Sequence, residues 1–366
     1  MMNQNKISVG ILGATGMVGQ RFVRLLADHP WFVVTCVAAS ERSAGQAYAD
    51  AVEGRWLYRD PIPEHVASLT VHNAVADMES VADQADFVFS AMSMDKETIR
   101  EVETAYASLE TPVVSNNSAH RWTEDVPVFI PEINPHHAEL IDIQRENRGW
   151  SKGFLTAKPN CSIQSYVPVI EALREYQPEK AAVSTYQAIS GAGKTFDTYP
   201  EIADNIIPYI GGEEQKSEDE PGKIWGEIKD GELVLATTPV ISSTCVRVPV
   251  TDGHLVTVHL TLGKDATREE LIEAIQSYKS PLDTMGLPSS PDRLLTYFAE
   301  ADRPQTRLDR DMNGGMGIAV GRLREDPVLG WKFVALSHNT IRGAAGGAIL
   351  TAEMLVKKGY IPGGGE

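Results

Sequence analysis

The sequence predicts an α/β protein with two domains, a doubly wound parallel sheet followed by a second, α+β domain with a mixed sheet. Three observations support this prediction. Short apolar runs alternate with amphipathic runs over the first third of the chain, a glycine-rich turn joins the first pair, and after about residue 181 the runs become β-branched. The 366 residues suffice for two domains that each bury a core.

In the first domain, strands are predicted at the short apolar runs and helices where apolar positions recur with helical spacing. The predicted strands are 7–12, 32–38, 87–92, 112–115, 126–130 and 154–157, and the predicted helices are 17–28, 95–109 and 135–148. This alternation is typical of βαβ units and therefore favours a parallel sheet.

The second domain is predicted from β-branched runs with one helix between them. Its strands are 182–189, 233–248, 254–262, 294–298, 317–323 and 331–337, and its helix is 267–278. The polar segment 211–231 is predicted to be a loop or short-helix excursion, and residues 339–358 form a final helix that ends at Gly359.

Charge and cysteine content exclude several classes of protein. Lys and Arg number 33 against 50 Asp and Glu, and the net charge of −17 argues against nucleic-acid and anionic-membrane partners. Three cysteines without framework spacing indicate free thiols in a reducing compartment. Because no signal peptide or long apolar run is found either, we expect a soluble cytoplasmic protein.

The turn GATGMVG at 13–19 lies between the first predicted strand and the first predicted helix. In that position glycines let the backbone approach a pyrophosphate at the helix N-terminus. The sequence therefore predicts a Rossmann-type dinucleotide-binding domain, in which residues Gly13, Ala14, Thr15, Gly16, Met17 and Val18 contact the cofactor.

The end of the second predicted strand bears on the choice of cofactor. An NAD enzyme places an acidic residue here for the ribose hydroxyls. Ser40, Arg42 and Ser43 instead offer hydroxyls and a guanidinium suited to a 2′-phosphate, while Glu41 keeps NAD possible. The pattern favours NADP.

Cys161 is the cysteine whose position suggests reactivity. It follows an apolar strand and precedes the amphipathic run 163–176, so that backbone N–H groups at a helix start could favour its thiolate, although Pro168 weakens that helix. Cys36 and Cys245 read as buried apolar residues. A base cannot be chosen by spacing among nine histidines, and no set of residues has the spacing of metal ligands.

Seven segments together are similar to one enzyme family. The segments are GATGMVGQR from 13, SNNSAHR at 115–121, KPNCS at 158–162, QAISGAG at 187–193, the EExK pattern at 213–216, RVPVxxGH at 247–254 and NTIRGAAGGA at 339–348. In this order they resemble the aspartate-semialdehyde dehydrogenases, with the archaeal and fungal branch as the nearer match. The resemblance extends from residue 7 to about residue 358.

The resemblance implies NADPH-dependent reduction of L-aspartyl-4-phosphate to L-aspartate 4-semialdehyde in the biosynthesis of Lys, Thr, Met and Ile. Cys161 would form the thioester, His254 would be the acid/base group, and Gln187 would orient the acyl group. Arg247 would clamp the α-carboxylate and Glu213 would bind the α-ammonium, with Glu214 as an alternative. Lys216, Arg121 and Asn160 would hold the phosphate.

The resemblance also implies further cofactor contacts and the assembly. Ser90, Ser190, Gly191, Asn339 and either Asn116 or Asn117 would line the cofactor site, without any metal. Residues 1–157 and 339–366 would form the cofactor domain, and 158–338 the catalytic and dimerisation domain. A homodimer or homotetramer is expected.

Three alternatives share parts of this pattern. Malonyl-CoA reductases resemble the same branch and would keep Cys161 and His254, but their substrate has no α-ammonium for Glu213. N-acetylglutamyl-phosphate reductase and glyceraldehyde-3-phosphate dehydrogenase match the flanking segments less well. A catalytically silent dinucleotide-binding regulator would have no need of Cys161, His254, Arg247 and Lys216 together.

Overall fold

The computed structural model describes residues 6–363. Its first sheet has six parallel strands in the order β3-β2-β1-β4-β5-β6. This is the strand order of a Rossmann-type sheet, so that the predicted doubly wound domain is confirmed. The strands are β1 (Ile7–Leu12), β2 (Phe32–Ala39), β3 (Val71–Asn73), β4 (Phe87–Ser90), β5 (Val113–Ser115) and β6 (Leu155–Ala157). The helices are α1 (Met17–Leu25), α2 (Tyr48–Ala51), α3 (Glu64–Ala67), α4 (Met78–Ala82), α5 (Lys96–Ser108) and α6 (Glu139–Arg148).

The glycine-rich turn lies at the point where the strand order reverses, between β1 and β4. Gly13 has a φ of 82°, and a Cβ there would approach the Ala91 carbonyl oxygen to 2.4 Å. A Cβ on Gly19 would approach the Gly13 carbonyl oxygen to 2.2 Å, whereas one on Gly16 would meet only that oxygen at 3.4 Å. Two of the glycines are therefore required by the fold, and the third leaves space in front of helix α1.

The second sheet is mixed and has the strand order β10-β7-β11-β14-β13-β12. Strands β7 and β10 run parallel, and β11 runs antiparallel to β7. The strands are β7 (Pro178–Gln187), β10 (Val240–Arg247), β11 (His254–Leu262), β12 (Leu295–Phe298), β13 (Ile318–Asp326) and β14 (Gly330–Ser337), and a separate hairpin is formed by β8 (Glu227–Lys229) and β9 (Glu232–Val234). The remaining helices are α7 (Val167–Ala172), α8 (Glu213–Ile224), α9 (Arg268–Gln276), α10 (Thr306–Asp309) and α11 (Gly346–Lys357).

Three predicted elements differ from the structure in more than their bounds. Residues 126–130 form one isolated bridge, between Val128 and Ala157, instead of a strand. The predicted strand 233–248 is divided into β9 and β10, with a cis Thr238–Pro239 bond between them. The polar segment 211–231 contains the twelve-residue helix α8, which places Pro221 inside a helix, and its buried face consists largely of polar residues that form the site described below.

The C-terminal helix α11 packs in the first domain. It is buried on all sides, from Gly346 to Val356, as expected for an apolar helix inside a core. Leu350 and Leu355 share a hydrophobic cluster with Val9 and Phe89 of the first sheet. No helix within residues 6–363 is both long enough and apolar enough to span a bilayer.

Candidate active site

The Cys161 thiol and the His254 imidazole lie together at the junction of the two domains. Their Sγ and Nε2 atoms are 3.3 Å apart. Cys161 is partly exposed, whereas Cys36 and Cys245 are buried. The structure thus gives the thiol singled out from the sequence an ionisable partner within hydrogen-bond range.

The topology of the second sheet brings three predicted residues to one edge. Gln187 and Arg247 end the parallel strands β7 and β10 and are direct register partners. His254 begins β11, which is antiparallel to β7, so that its first residue lies beside the last residues of β7. Residues separated by up to 67 positions in the chain therefore meet, because the ends of their strands coincide.

The backbone around His254 fixes the state of its ring. The Ala188 N–H donates to Nδ1 at 3.1 Å, so that a neutral ring carries its proton on Nε2, facing Cys161 Sγ. The Gly253 backbone also interacts with the ring and raises its pKa. The Ser165 hydroxyl donates to the His254 carbonyl oxygen at 2.8 Å and holds the start of β11.

Burial keeps both partners uncharged before substrate arrives. Burial raises the pKa of the Cys161 thiol to about 12, Glu213 adds to the rise, and Arg121, Arg247 and Lys216 oppose it. Burial, followed by the charge of Arg247, lowers the pKa of His254 to about 3. The expected thiolate at a helix N-terminus is therefore not the resting state. Cys161 precedes only a four-residue 3₁₀ turn, Ser162–Ser165, and the α-helix begins at Val167 with Pro168 in its first turn.

Helix α8 faces Cys161 with a row of charged side chains. Glu213 accepts from Lys216 Nζ and from Asn160 Nδ2, both at 2.7 Å. Burial alone would raise the pKa of Glu213, but Lys216 and these hydrogen bonds outweigh it and hold the pKa below its usual value. The neighbouring Glu214 instead accepts from the Cys245 backbone N–H at 3.1 Å. Glu213 is thus the acidic residue of this pair that faces Cys161.

Arg121 is held on three sides. Its Nη1 donates to Glu220 Oε1 at 2.8 Å, its Nε donates to the Lys158 carbonyl at 2.8 Å, and its Nη2 is 3.5 Å from the Asn116 carbonyl. The second oxygen of Glu220 accepts from the Asn160 backbone N–H at 2.5 Å. Glu220 was missed from the sequence because it lies inside a segment expected to be a loop.

Arg247 differs from the other two cations. Its Nη1 donates to the Ala188 carbonyl at 2.6 Å, and among residues 6–363 it forms no ion pair. Arg121 and Lys216 are each paired with a carboxylate. Arg247 is therefore the buried cation beside Cys161 that is left to bind an incoming anion.

Two glycines allow these groups to pack closely. A Cβ on Gly191 would lie 3.0 Å from Arg247 Nη1 and 3.2 Å from His254 Nε2. A Cβ on Gly343, at the turn before α11, would lie 2.8 Å from the Cys161 Cβ. The return of the chain to the first domain thus forms one wall of the nucleophile's environment.

The residues predicted to bind the cofactor differ in whether their side chains are already hydrogen-bonded within the protein. Ser40 and Arg42 are exposed after β2, and Arg42 forms no ion pair within the described part of the chain, whereas Ser43 is buried. The Asn339 amide is hydrogen-bonded at both ends, since it donates to Ser190 Oγ at 2.8 Å and accepts from Gly253 N–H at 2.8 Å. The roles predicted for these residues toward a cofactor stay predictions.

A second buried charge cluster lies behind Cys161. Arg342 Nη1 donates to Glu132 Oε1 at 2.8 Å, and burial followed by the charge of Arg342 lowers the pKa of Lys158 to about 7. A Cβ on Gly347 would lie 2.6 Å from Lys158 Nζ. The sequence motifs did not indicate this packing, because it joins three segments that are distant in the chain. Within residues 6–363 no group of three His, Cys, Asp or Glu residues is arranged to hold a metal ion.

Because the Glu213 charge raises the pKa of Cys161, Glu213→Gln should lower that pKa and accelerate alkylation by iodoacetamide severalfold at mildly alkaline pH. In the wild type the rate should still be rising at the most alkaline pH tolerated by the protein. Asp219→Asn, an exposed site on the same helix, is the matched control and should leave the rate unchanged. A Glu213→Gln rate equal to or below the wild-type rate would contradict this electrostatic account.

Comparison with known proteins decides the family. "Semialdehyde dehydrogenase, NAD binding domain" matches residues 8–141, and "Semialdehyde dehydrogenase, dimerisation domain" matches residues 168–342. The aspartate-semialdehyde dehydrogenase of Archaeoglobus fulgidus is 43% identical over 97% of this chain and 100% of its own length. That of Aspergillus fumigatus is 41% identical over 99% of this chain and 100% of its own. The chain belongs to the aspartate-semialdehyde dehydrogenase family.

Solved structures of the aspartate-semialdehyde dehydrogenase family match the whole architecture. The Candida albicans enzyme, determined with NADP, superimposes with a TM-score of 0.87 at 37% identity and covers 97% of this chain and 100% of that chain. A Vibrio cholerae enzyme complexed with ASA has a TM-score of 0.71 at 25% identity and covers 96% of this chain and 98% of that chain. The family and the fold predicted from the sequence are both confirmed.

Proposed function

We propose that the protein catalyses the reversible, NADPH-dependent reduction of L-aspartyl-4-phosphate to L-aspartate 4-semialdehyde, with release of phosphate. The observation that carries this proposal is the 3.3 Å pair of Cys161 Sγ and His254 Nε2, with Arg247 beside it, a cation that forms no ion pair among residues 6–363. Membership of a family whose curated relatives act as aspartate-semialdehyde dehydrogenases supports the choice of substrate. This activity would serve amino-acid biosynthesis.

The residues of the first domain fit a dinucleotide. Gly16 leaves space for a pyrophosphate at the start of α1. The exposed Arg42, which forms no ion pair in the described part of the chain, suits the 2′-phosphate of NADP. Gly13, Ala14, Thr15, Met17 and Val18 would hold the rest of the phosphate bridge. When bound, NADPH supplies the hydride for the reduction.

In the acylation step, Cys161 Sγ attacks the acyl carbon, the bond from that carbon to the phosphate oxygen breaks, and the thiol proton leaves with the phosphate. The products are a thioester on Cys161 and free phosphate. Burial of the thiol means that its thiolate forms during attack instead of persisting in the free enzyme. Arg121, Arg247 and Lys216 all favour the charge that develops on sulfur.

In the reduction step, His254 holds a proton at Nε2 toward the oxygen of the thiohemiacetal. Its Nδ1 bond from Ala188 keeps that proton in place, and the ring is positioned to give it to, or take it from, the developing oxyanion. Gln187 lies at the same sheet edge and would orient the acyl oxygen. Collapse of the thiohemiacetal then returns the Cys161 sulfur.

The two charged groups on the α-carbon of the substrate would each meet a side chain of opposite charge, and the phosphate at the other end would meet cations. Arg247 would bind the α-carboxylate with two parallel N–H bonds, and Glu213 the α-ammonium. Lys216, Arg121 and Asn160 would bind the phosphate. Because Lys216 and Arg121 are each paired with a carboxylate in this structure, the substrate would replace or share an internal ion pair instead of entering an unpaired cationic pocket.

The test is a pair of assays on the same preparation. We expect phosphate-dependent reduction of NADP⁺ with aspartate semialdehyde, and no NADPH oxidation with malonyl-CoA. NAD⁺ in place of NADP⁺ should give a much lower kcat/KM, and Arg42→Ala should reduce that preference. Activity with malonyl-CoA alone would refute the proposed substrate, and no activity in either direction would favour a silent dinucleotide-binding protein.

We further propose that the protein is a homodimer that uses the second sheet. One face of this sheet carries alternate side chains of β7, β10 and β11 that are partly buried or exposed, including Tyr186, Thr244 and Thr257. The matched dimerisation domain, residues 168–342, contains all three strands. Partly buried apolar and hydroxyl side chains on a broad sheet face suit a symmetric contact with a second copy.

A further inference from the structure

Glu103 is a buried carboxyl group that has no place in the chemistry proposed above. It lies on helix α5 and its side chain is fully buried. Fully buried carboxyl groups are rare unless they have a defined set of partners. The partners of Glu103 are all at the ends of two strands of the cofactor domain.

The contacts of Glu103 form one compact network. Its Oε1 accepts from the Ser115 hydroxyl at 2.6 Å and from Asn117 Nδ2 at 3.0 Å. The same Asn117 Nδ2 lies 3.0 Å from Ser90 Oγ, and the Asn117 backbone N–H donates to Ser115 Oγ at 3.0 Å. One carboxyl oxygen thus fixes the side chains that end β4 and β5 and the loop that leaves β5.

The position of this network points to the cofactor. In a sheet with this strand order, the crevice for a dinucleotide lies beyond the carboxyl ends of β1 and β4, and each half of the sheet receives one nucleotide. The glycine-rich turn, which would contact the cofactor phosphates, follows β1, and Arg42 lies just after the end of β2. The half formed by β4 and β5 therefore receives the nicotinamide nucleotide.

Two buried atoms of this region have no partner within residues 6–363. They are Glu103 Oε2 and Asn116 Nδ2. Asn116 is otherwise held through its backbone, since its N–H donates to the Ser90 carbonyl at 2.8 Å. The loop that ties Asn117 down therefore leaves the buried Asn116 Nδ2 without a partner within residues 6–363, next to the end of β4.

Burial disfavours the charged form of Glu103. Burial raises its pKa, and the hydrogen bonds from Asn117 and Ser115 oppose the rise. A carboxyl oxygen accepts hydrogen bonds in either protonation state, as an amide oxygen does. The glutamine side chain can therefore take over both accepted bonds, whereas an aliphatic side chain of similar size leaves the Ser115 hydroxyl without this acceptor and Asn117 with Ser90 alone.

We propose that Glu103 is a positioning residue for the nicotinamide nucleotide, which it serves by fixing Ser90, Ser115 and Asn117 at the ends of β4 and β5. This inference rests on the proposed function, because it takes NADPH as the ligand. Glu103 touches neither the reacting thiol nor its partners. Its effect should therefore appear in cofactor affinity and not in the reactivity of Cys161.

The experiment measures NADPH binding by fluorescence in Glu103→Gln, Glu103→Leu and the control Val102→Ala. Val102 is buried on the same helix and makes no part of the polar network, so its truncation reports loss of stability alone. We expect Glu103→Gln to match the wild type within about twofold and Glu103→Leu to weaken binding about tenfold or more. Alkylation of Cys161 by iodoacetamide should proceed at the wild-type rate in all three.

Two results would overturn the inference, namely unchanged NADPH affinity in Glu103→Leu or an equal loss in Val102→Ala at matched thermal stability. If Glu103→Leu does not fold, Asn117→Ala takes its place, because it removes the link from Glu103 to Ser90 at a partly exposed position. Unchanged affinity in that variant counts equally against the proposal. Failure of the wild type to bind NADPH refutes the proposed function instead.

Discussion

Cys161→Ala is expected to lower turnover by at least roughly 10⁴-fold, because it removes the atom that forms the thioester. The substitution deletes only a sulfur from a partly exposed residue, and the contacts of the first sheet and its glycine-rich turn do not involve it. NADPH affinity should therefore stay at the wild-type value. The measurement is phosphate-dependent NADP⁺ reduction together with NADPH fluorescence.

Cys245→Ala serves as the control for this substitution. Cys245 is buried in β10, near Ser217 and Ser243, and lies outside the proposed chemistry. The Cys245→Ala variant should keep its turnover within a few fold of the wild-type value. Turnover near the wild-type rate in Cys161→Ala would remove that residue from the mechanism, whatever the result for Cys245.

Arg247→Lys should reduce kcat/KM for aspartate semialdehyde by about 10²-fold, equivalent to roughly 3 kcal/mol of lost transition-state stabilisation. The Arg247 guanidinium can hold the Ala188 carbonyl through one Nη atom and still offer two N–H groups to a carboxylate. A lysine ammonium supplies charge without that planar geometry. Steady-state kinetics with each substrate varied should show the loss in the semialdehyde, while the KM for NADP⁺ stays unchanged.

Arg174→Lys, on the surface far from the sheet edge, should leave these constants unchanged and controls for a general effect of arginine replacement. The clamp would be disproved by an Arg247→Lys variant with kcat/KM within about twofold of the parent. A loss confined to the KM for NADP⁺ would also argue against it, because it would assign Arg247 to the cofactor.

Much of the first domain could be predicted from the sequence because its signals are local. The alternation of apolar and amphipathic runs gave β1 its observed bounds, Ile7–Leu12, and located helices α1 and α5 to within a few residues at each end. The glycine-rich turn identified the cofactor crevice for the same reason, since a positive φ and close backbone approach demand glycine at particular positions.

The candidate site could be predicted only in part from local sequence signals. Local reasoning could nominate Cys161 and note that Arg247 and His254 flank a turn, but it could not pair them, since that pairing depends on the register of β7, β10 and β11. Family resemblance supplied the pairing. Neither approach found Glu220 or Glu103, because both are defined by partners in distant segments: Arg121 and Asn160 for one, Ser115 and Asn117 for the other.

Helix α8 shows why the segment 211–231 was misjudged. Its composition is that of an exposed loop, with acidic residues and an internal proline. Its buried side chains are stabilised by specific polar partners instead of by apolar contact. Lys223 Nζ donates to the Arg121 and Thr123 carbonyls, and Ser217 Oγ lies 3.0 Å from Ser162 Oγ. Hydrophobic periodicity carries no information about a helix that is held in this manner.

The packing of α11 against the first sheet has a consequence for the synthesis of the chain. Domains generally fold as they leave the ribosome, beginning with the N-terminal one. Here Leu350 and Leu355 fill part of the core that Val9 and Phe89 begin, so the first domain cannot close until the last helix has been made. The same late segment brings Gly343 against Cys161. The core of the first domain and the wall beside Cys161 are therefore both completed only when this last segment of the chain has been made.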